Sequence, residues 1–281
     1  MVYVLRRDDC DTDWVFARTR EVESNPDGHL DIWAREHYKT SIITQAGVIQ
    51  EVLKNPNITI AIFSFNRPIA KGFFRQIRWE MEHNEMLHAL FPDIFWENVK
   101  DAPKWSEDDG LVVQRSRNTK EATLEAWGLI DGQPTSKHFD LMIFNDIVTG
   151  DTVSTPDMIK KTTTAWENAL NLSTEGGRIW YEGTFWNFAD TYNTIIERGS
   201  AIPRIYPGTS DGTTQGSPVL FSNEYMRFKM MSMSAYVFAC QILCNPKMAD
   251  KSGFHLDWLR YWKVGTQQNL NKIIVVDSAT T

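Results

Sequence analysis

Short, almost wholly apolar runs alternate along the chain with longer stretches in which apolar residues recur every three or four positions, the pattern of an α/β sheet with helices on both faces. Leu30-Asp31-Ile32-Trp33-Ala34 predicts a strand. Ser41 to Leu53 carries Ile42, Ile43, Ala46, Ile49 and Leu53 at helical spacing and stops at Asn55-Pro56. Ile58 to Phe65 is an apolar run of strand length, followed by a helical stretch from Pro68 to about Leu90. Leu141-Met142-Ile143-Phe144 is the next strong strand and ends in the polar pair Asn145-Asp146. A helix from Pro156 to about Leu172, a strand from Arg178 to Gly183 and a helical stretch to Glu197 continue the alternation. Crossovers of this length favour parallel pairing.

After Gly199 the alternation gives way to a loop-rich segment punctuated by Pro203, Pro207, Gly208, Gly212, Gly216 and Pro218, which leads to a helix from Ser222 to Leu243 ending at Asn245-Pro246. The expected organisation is a core over residues 1–199 and a smaller appended subdomain over 200–262. Residues 263–281 then carry one further strand, Lys272-Ile273-Ile274-Val275-Val276-Asp277, of the kind that opens another domain.

Composition narrows the class. The chain has 281 residues, 42% hydrophobic and 23% charged, with 11 Trp, 8 Tyr and 15 Phe, which excludes a disordered or collagen-like protein. No run approaches the roughly 20 apolar residues of a bilayer span, and the first residues lack the order of a signal peptide, so a cytoplasmic, non-secreted protein is expected. Cys10, Cys240 and Cys244 form neither a disulfide framework nor a zinc motif, and are expected to be reduced thiols. The net charge of −7 gives no global attraction to nucleic acid, so a DNA partner needs a local basic patch.

Three stretches have the residue types of a nucleotide site. Ala34-Arg35-Glu36-His37-Tyr38-Lys39-Thr40-Ser41 lies between a strand and an apolar helix. It offers backbone N–H groups at a helix start, a Lys for the terminal phosphates and a hydroxyl for Mg²⁺. The glycines of the G-x-x-x-x-G-K-[ST] signature are missing, with Trp33 and Tyr38 in their places, and a surface lysine at a helix start has the same appearance. Asn145-Asp146 sits at the C-terminal end of a hydrophobic strand, the edge at which open parallel sheets bind ligands and nucleoside triphosphatases place a metal carboxylate and a water-orienting acid. Here one of the two is acidic. Trp180-Tyr181-Glu182-Gly183-Thr184 closes the following strand, where a polar residue serves as a phosphate sensor or a buried Thr is bonded to backbone. Glu80, Glu82, His83, Glu85 and His88 have spacings that do not converge on a metal and predict a solvated helix face.

As a set, these residues resemble the large subunit of tailed-bacteriophage terminases, the ATP-driven motors that pump DNA into a procapsid, from about Asp11 to the last residue. Trp33 to Ser41 resembles the divergent phosphate loop of that family, in which an Arg four positions before the Lys replaces the glycine pattern. Asp131 to His138 followed by Leu141 to Asp146 resembles the segment leading into its Mg²⁺-carboxylate strand. Gly183-Thr184 with Trp186 and Asp190 resembles its coupling motif, and Tyr236 to Pro246 the Gln-containing helix end of its lid. Ile274-Val275-Val276-Asp277-Ser278-Ala279 resembles the first strand of its nuclease domain, whose Asp is a metal ligand; with Asp277 alone, no nuclease activity is expected of this polypeptide.

The resemblance implies a P-loop NTPase-like, mostly parallel sheet with helices on both faces and a small lid subdomain. It implies ATP and Mg²⁺ as cofactors, with Arg35, Glu36, His37, Tyr38, Lys39, Thr40 and Ser41 around the nucleotide. Lys39 is expected to neutralise the β- and γ-phosphates and Thr40 to hold the metal. Asp146 is expected to bind the metal or orient the attacking water, Arg35 to stabilise transition-state charge, and Thr184 to report phosphate state to the lid. Asn145 stands where the family usually has an acid, so its amide oxygen is a possible metal ligand and Asn145→Asp is expected to raise turnover more than tenfold. Phe185 stands where related sequences tend to carry Arg. The implied partners are double-stranded DNA, a small terminase subunit, a portal ring and further copies of the chain on the procapsid, in the cytoplasm of an infected bacterium, with no membrane. Two rival readings remain: a helicase-like ATPase acting on nucleic acid outside a capsid, and a catalytically silent remnant that binds nucleotide or partner subunits.

Overall fold

The computed structural model describes residues 1–249. Within them one sheet contains β1 (His29–Trp33), β2 (Ile60–Ser64), β3 (Trp105–Ser106), β4 (Gly110–Leu111), β5 (Leu124–Gly128), β6 (Phe139–Asn145), β7 (Ser173–Gly183) and β8 (Ile202–Tyr206). The order across the sheet is β3-β4-β5-β2-β6-β7-β1-β8. From β5 to β8 every pairing is parallel, and at the other edge β4 pairs antiparallel with both β3 and β5.

The helices are α1 (Asp13–Ser24), α2 (Gly47–Lys54), α3 (Arg67–His83), α4 (Glu85–Leu90), α5 (Pro156–Ala169), α6 (Thr191–Glu197), α7 (Asn223–Ser232) and α8 (Ala235–Gln241). Because strand side chains alternate, the apolar runs feed two cores. Trp33, Ile60, Ile62, Leu141, Ile143 and Trp180 pack with Val22, Val48, Val52, Phe74 and Ile77 from α1, α2 and α3. Their neighbours Leu30, Ile32, Ala61, Phe63, Met142, Phe144 and Tyr181 pack with Trp166, Tyr192 and Ile195 from α5 and α6. Full burial of each such side chain contributes about 1.5–3 kcal/mol, and a one-residue slip would exchange the faces. The same alternation puts Ser64, Asn145 and Glu182, at three adjacent strand ends, on the α2 side.

Several expectations are corrected. The boundary at residue 199 does not hold, because β8 joins the sheet beside β1 in the register Asp31↔Arg204. Its Pro203 is tolerated on an edge strand, where one face of the backbone has no ladder partner. The helix expected from Pro68 to Leu90 breaks at Asn84, whose side chain accepts from Leu87 N and caps α4. The helix expected from Ser222 to Leu243 breaks where Ser234 caps α8 by accepting from Val237 N. Glu80, expected on a solvated face, is buried and accepts from Asn84 Nδ2 at 2.7 Å. Residues 263–281, including Asp277, lie outside the described residues. Among the described residues no helix is long and apolar enough to cross a membrane.

Candidate functional site

β1 delivers the chain into a loop, Ala34 to Tyr38, and a helix begins at Lys39. Glu36 and Tyr38 both take left-handed backbone, with φ of 64° and 60°. Tyr38 occupies the slot of the second signature glycine, so the tight turn is kept without the residue that usually makes it possible. The loop is held from two sides: Ala34 N donates to Tyr206 O of β8 at 2.9 Å, and Arg35 N donates to Gln241 O of α8 at 3.0 Å. The first N–H groups of a helix have no intrahelical acceptor. Here that helix start opens on a cleft of about 490 Å³ lined by Glu36 to Ser41 with Leu220 and Phe221, a size suited to a small-molecule ligand.

Lys39 reaches from the loop across the sheet edge. Its side chain is buried and Nζ lies 3.5 Å from Asp146 Oδ1. Asp146 also has left-handed backbone, φ 46°, and its N–H donates to Glu182 O at 3.0 Å, which returns its side chain over the strand ends. After Thr40 the helix opens as a wide π-helical turn over Ser41–Ala46, with Gly47 N bonded to Ile42 O. From that turn Thr44 Oγ1 donates to Glu182 Oε1 at 2.6 Å. Asn145 Nδ2 donates to the same Glu182 oxygen and to Thr44 Oγ1 at 2.9 Å, while Ser64 Oγ donates to Asn145 O at 2.6 Å.

Asn145 and Glu182 are fully buried, yet Asn145 Oδ1 and Glu182 Oε2 have no hydrogen-bond partner, and neither does Thr184 Oγ1. Burial pushes the Glu182 carboxyl up to about 8; Asp146 and Asp31 act in the same direction, and Lys39 and the Thr44 hydrogen bond oppose it. Orphaned buried acceptors are rare in folded proteins and mark a place where another group is expected. Mg²⁺ takes oxygen ligands and is held by one or two carboxylates together with phosphate oxygens. Thr40, Asp146 and the free oxygen of Asn145 form a donor set of that kind, so the residues present fit the ion. Among the described residues no cluster of three or more Asp, Glu, His or Cys side chains forms a self-sufficient metal cage.

The structure thus gathers Lys39, Asn145 and Asp146 at one sheet edge, with Gly183 and Thr184 at the end of the strand between β1 and β6. A Cβ at Gly183 would fall on the Tyr192 ring, whose Oη donates to Glu182 O at 3.1 Å and accepts from Ile147 N at 3.1 Å. Other expected residues also make contacts that brace the loop. The Arg35 guanidinium lies over the Trp186 ring at 5.1 Å. The Glu36 carboxylate accepts from Tyr225 Oη at 2.9 Å and pairs with Lys229, both on α7. His37 is buried between the rings of Trp14 and Phe221, with Nδ1 2.8 Å from Arg35 O, and burial lowers its pKa. Tyr38 packs under Arg7 at 5.7 Å, and Arg7 Nη1 donates to Ser41 Oγ at 3.2 Å. Glu36, His37 and Tyr38 therefore brace the loop as well as lining the cleft.

Sequence reasoning gave Glu182 no role of its own and missed Thr44, Arg7 and the α7 pair. One signal was available for Glu182: it is a lone acid inside an otherwise apolar strand end, Trp180-Tyr181-Glu182-Gly183.

No protein-family model and no curated protein sequence matches this chain. Among solved structures, the large terminase of bacteriophage HK97 is similar over 82% of this chain and 49% of its own, at 18% identity and a TM-score of 0.49. The large terminase ATPase domain of Thermus phage P74-26 is similar over 80% of this chain and 90% of its own, at 13% identity and a TM-score of 0.42. A large terminase of a thermophilic bacteriophage, in complex with ATP-gamma-S, is similar over 78% of this chain and 47% of its own, at 10% identity and a TM-score of 0.45. The chain spans about half the length of the first and third of these proteins.

Proposed function

We propose that this chain is a Mg²⁺-dependent ATPase of the phage DNA-packaging type. The observation that carries the reading is the convergence of Lys39, from a strand-loop-helix turn, on Asp146, from the end of β6, at 3.5 Å across one sheet edge. A triphosphate in the adjoining cleft meets the helix-start N–H groups and the Lys39 ammonium, which together offset its charge. Mg²⁺, when bound, neutralises charge on the β- and γ-phosphate oxygens; Thr40, Asp146 and Asn145 Oδ1 are the residues that would hold it. Asp146 also orients the attacking water, whose oxygen forms a bond to the γ-phosphorus as the bond to ADP breaks. Arg35, stacked on Trp186, connects the phosphate loop to the Gly183-Thr184 segment, so that occupancy of the loop is felt by the strand end beside it.

On this reading the partners are double-stranded DNA, a small terminase subunit, a portal ring and further copies of the chain, and the setting is the cytoplasm of an infected bacterium. Phosphate release from Mg·ATP is the test. Lys39→Ala is expected to lower the rate by about 100-fold or more, the scale of losing one preorganised charge contact. Equal rates in the two proteins would leave a silent remnant. Stimulation by empty procapsids or portal rings, but not by DNA alone, is expected of a packaging motor and not of a helicase-like enzyme.

A further inference from the structure

In a chain of net charge −7, the loop that joins β4 to β5 runs against the trend: Gln114 to Lys120 contains three cations and no acid. Beside it lies a cavity of about 260 Å³ in which every charged lining residue is a cation, Lys104, Arg115 and Arg117, with Ser116, Asn118 and Thr119 as neutral donors. Ser116 Oγ and Arg117 N donate to Asn57 Oδ1 at 3.3 and 2.7 Å, and Arg117 Nη1 lies 3.3 Å from Asp140 Oδ2, so the loop is tied to the starts of β2 and β6. The nucleotide cleft opens at the other end of β6, about 20 Å along the strand. Lys104 Nζ donates to Lys120 O at 2.8 Å and Arg115 Nη2 to Glu121 O at 2.7 Å, which fixes the arch of the loop. Neither of these cations forms an ion pair among the described residues, and Arg115 Nη1 is buried without a partner. Burial and the neighbouring Arg117 lower the Arg115 pKa, against the pull of Glu121, Glu125 and Asp140. Two carboxylates stand close by and are already engaged: Asp140 accepts from Thr59 N at 3.0 Å, and Glu121, 3.8 Å from Lys120, accepts from His138 N at 3.1 Å. Positive charge is left over, and an anion with several acceptor oxygens is what completes it.

The size of the cavity is below the roughly 300–1,000 Å³ of sites that enclose a whole small molecule, so it suits a phosphate group and not a complete nucleotide. The side chains of Arg117 and Lys120 are 52% and 59% exposed and carry the positive strip past the cavity mouth. A free phosphate would leave that rim unused, whereas a nucleic-acid backbone presents phosphates in series. We propose that Lys104, Arg115, Arg117 and Lys120 form a contact for successive backbone phosphates of DNA, one of them seated in the cavity. This is the local basic patch that an acidic chain needs in order to hold DNA, and it reads no sequence, because the phosphates are the same in every sequence. The choice of DNA as the polymer rests on the packaging reading above; the anion chemistry does not.

The test is fluorescence anisotropy of a labelled DNA duplex over a range of KCl, without nucleotide, on wild type, K104Q/R117Q and the equally discharged control K160Q/K161Q, whose lysines are exposed on α5. Thermal melts establish that each variant is folded. K104Q/R117Q is expected to weaken binding about tenfold at low salt and to reduce the slope of log affinity against log salt by about 1–2, equally on duplexes of unrelated sequence, while the control stays within about twofold of wild type. If K104Q/R117Q does not fold, R117Q/K120Q, which alters only exposed side chains, takes its place with the same expectation. Equal losses in the test and control variants would mean that the duplex feels net charge alone, and that result overturns the site, as does an unchanged salt slope or a wild type that binds no duplex. Displacement of the duplex by inorganic phosphate below about 1 mM, with ionic strength held constant by KCl, assigns the cavity to the free anion and overturns the DNA contact. Nucleotide is absent throughout, so each of these outcomes leaves phosphate release from Mg·ATP to decide the ATPase reading, and failure of that reading leaves the duplex result standing.

Discussion

Glu36 and Tyr38 show what the left-handed turns of the loop cost. Each holds a side chain at a left-handed φ, a conformation that costs an L-residue about 1–2 kcal/mol relative to glycine. Tyr38 is offset by its contact with Arg7, and Glu36 by Lys229 and Tyr225. A pair of substitutions separates backbone from side chain at Glu36. Glu36→Ala and Glu36→Gly both remove the α7 contacts, but only Ala keeps a Cβ at φ 64°, so the Gly variant is expected to be more stable by about 1 kcal/mol in urea denaturation. Equal midpoints would mean that the loop relaxes when the ion pair is lost. Position 145 changes its expectation in a similar way. A gain in turnover from Asn145→Asp assumes an amide facing only the metal, whereas its nitrogen is a donor to the buried Glu182 carboxylate. The substitution removes that donor and buries a second carboxyl against the first, so a loss of about 2 kcal/mol or more is expected, with turnover not improved. Denaturant midpoints and steady-state phosphate release check the two halves.

At the level of elements, the strand end of β7 and the start of α6 form one unit. Asp190 caps α6 and accepts from Trp186 N, Asn187 N, Asn193 N and Asn193 Nδ2 at 3.1–3.3 Å, the long end of the hydrogen-bond range. Burial therefore prevails and pushes its carboxyl up to about 6. With the folded value above the unfolded one, the favourable contribution is complete below the unfolded value and is lost as pH rises through about 6. Asp190→Asn does not titrate, so its stability relative to wild type is expected to improve by about 1 kcal/mol between pH 5 and pH 7, read from thermal melts at the two pH values. A constant difference would place the carboxylate in a better-solvated setting. The same unit shows which elements the sequence could reveal. β2 and β6 were legible because both faces are buried and the runs are almost purely apolar. β5 was not, because Glu125 interrupts it; that carboxylate is buried and satisfied by Trp127 Nε1 at 3.0 Å from the same strand and by Lys137 Nζ at 2.6 Å, a partner that the fold brings to it. In the site, Lys39 and Asp146 were legible from local strand-loop context. Glu182 joins the group through its register with Asn145 on β6, of which the local sequence shows only a lone acid at an apolar strand end.

For the molecule as a whole, the most consequential correction is that β8 is structural support for the phosphate loop. Tyr206 O receives Ala34 N, and one residue pair fastens the strand that carries it. Arg204 donates from Nε and Nη2 to the two Asp31 oxygens at 2.7 Å each, and Trp33 Nε1 adds a bond to Asp31 Oδ1 at 2.9 Å. Both charged side chains are buried, so their attraction is set against a large desolvation cost and the net value of the pair is small. Removing one partner is another matter. Arg204→Met leaves Asp31 charged, buried and unpaired, and a loss of about 3–5 kcal/mol is expected. In the double variant Asp31→Leu with Arg204→Met no charge is stranded, and most of that stability is expected to return, short by about 1 kcal/mol for the Trp33 N–H that has lost its acceptor. Because β8 carries the acceptor for the first residue of the loop, ATP affinity is expected to follow the same order: wild type near the double variant, Arg204→Met well below both. Urea denaturation and calorimetric ATP titration of the three proteins measure the two series. A double variant no more stable than Arg204→Met would show that β8 is held by side-chain packing and not by the balance of charge, and agreement of stability with a divergent ATP series would detach the loop from the strand beside it.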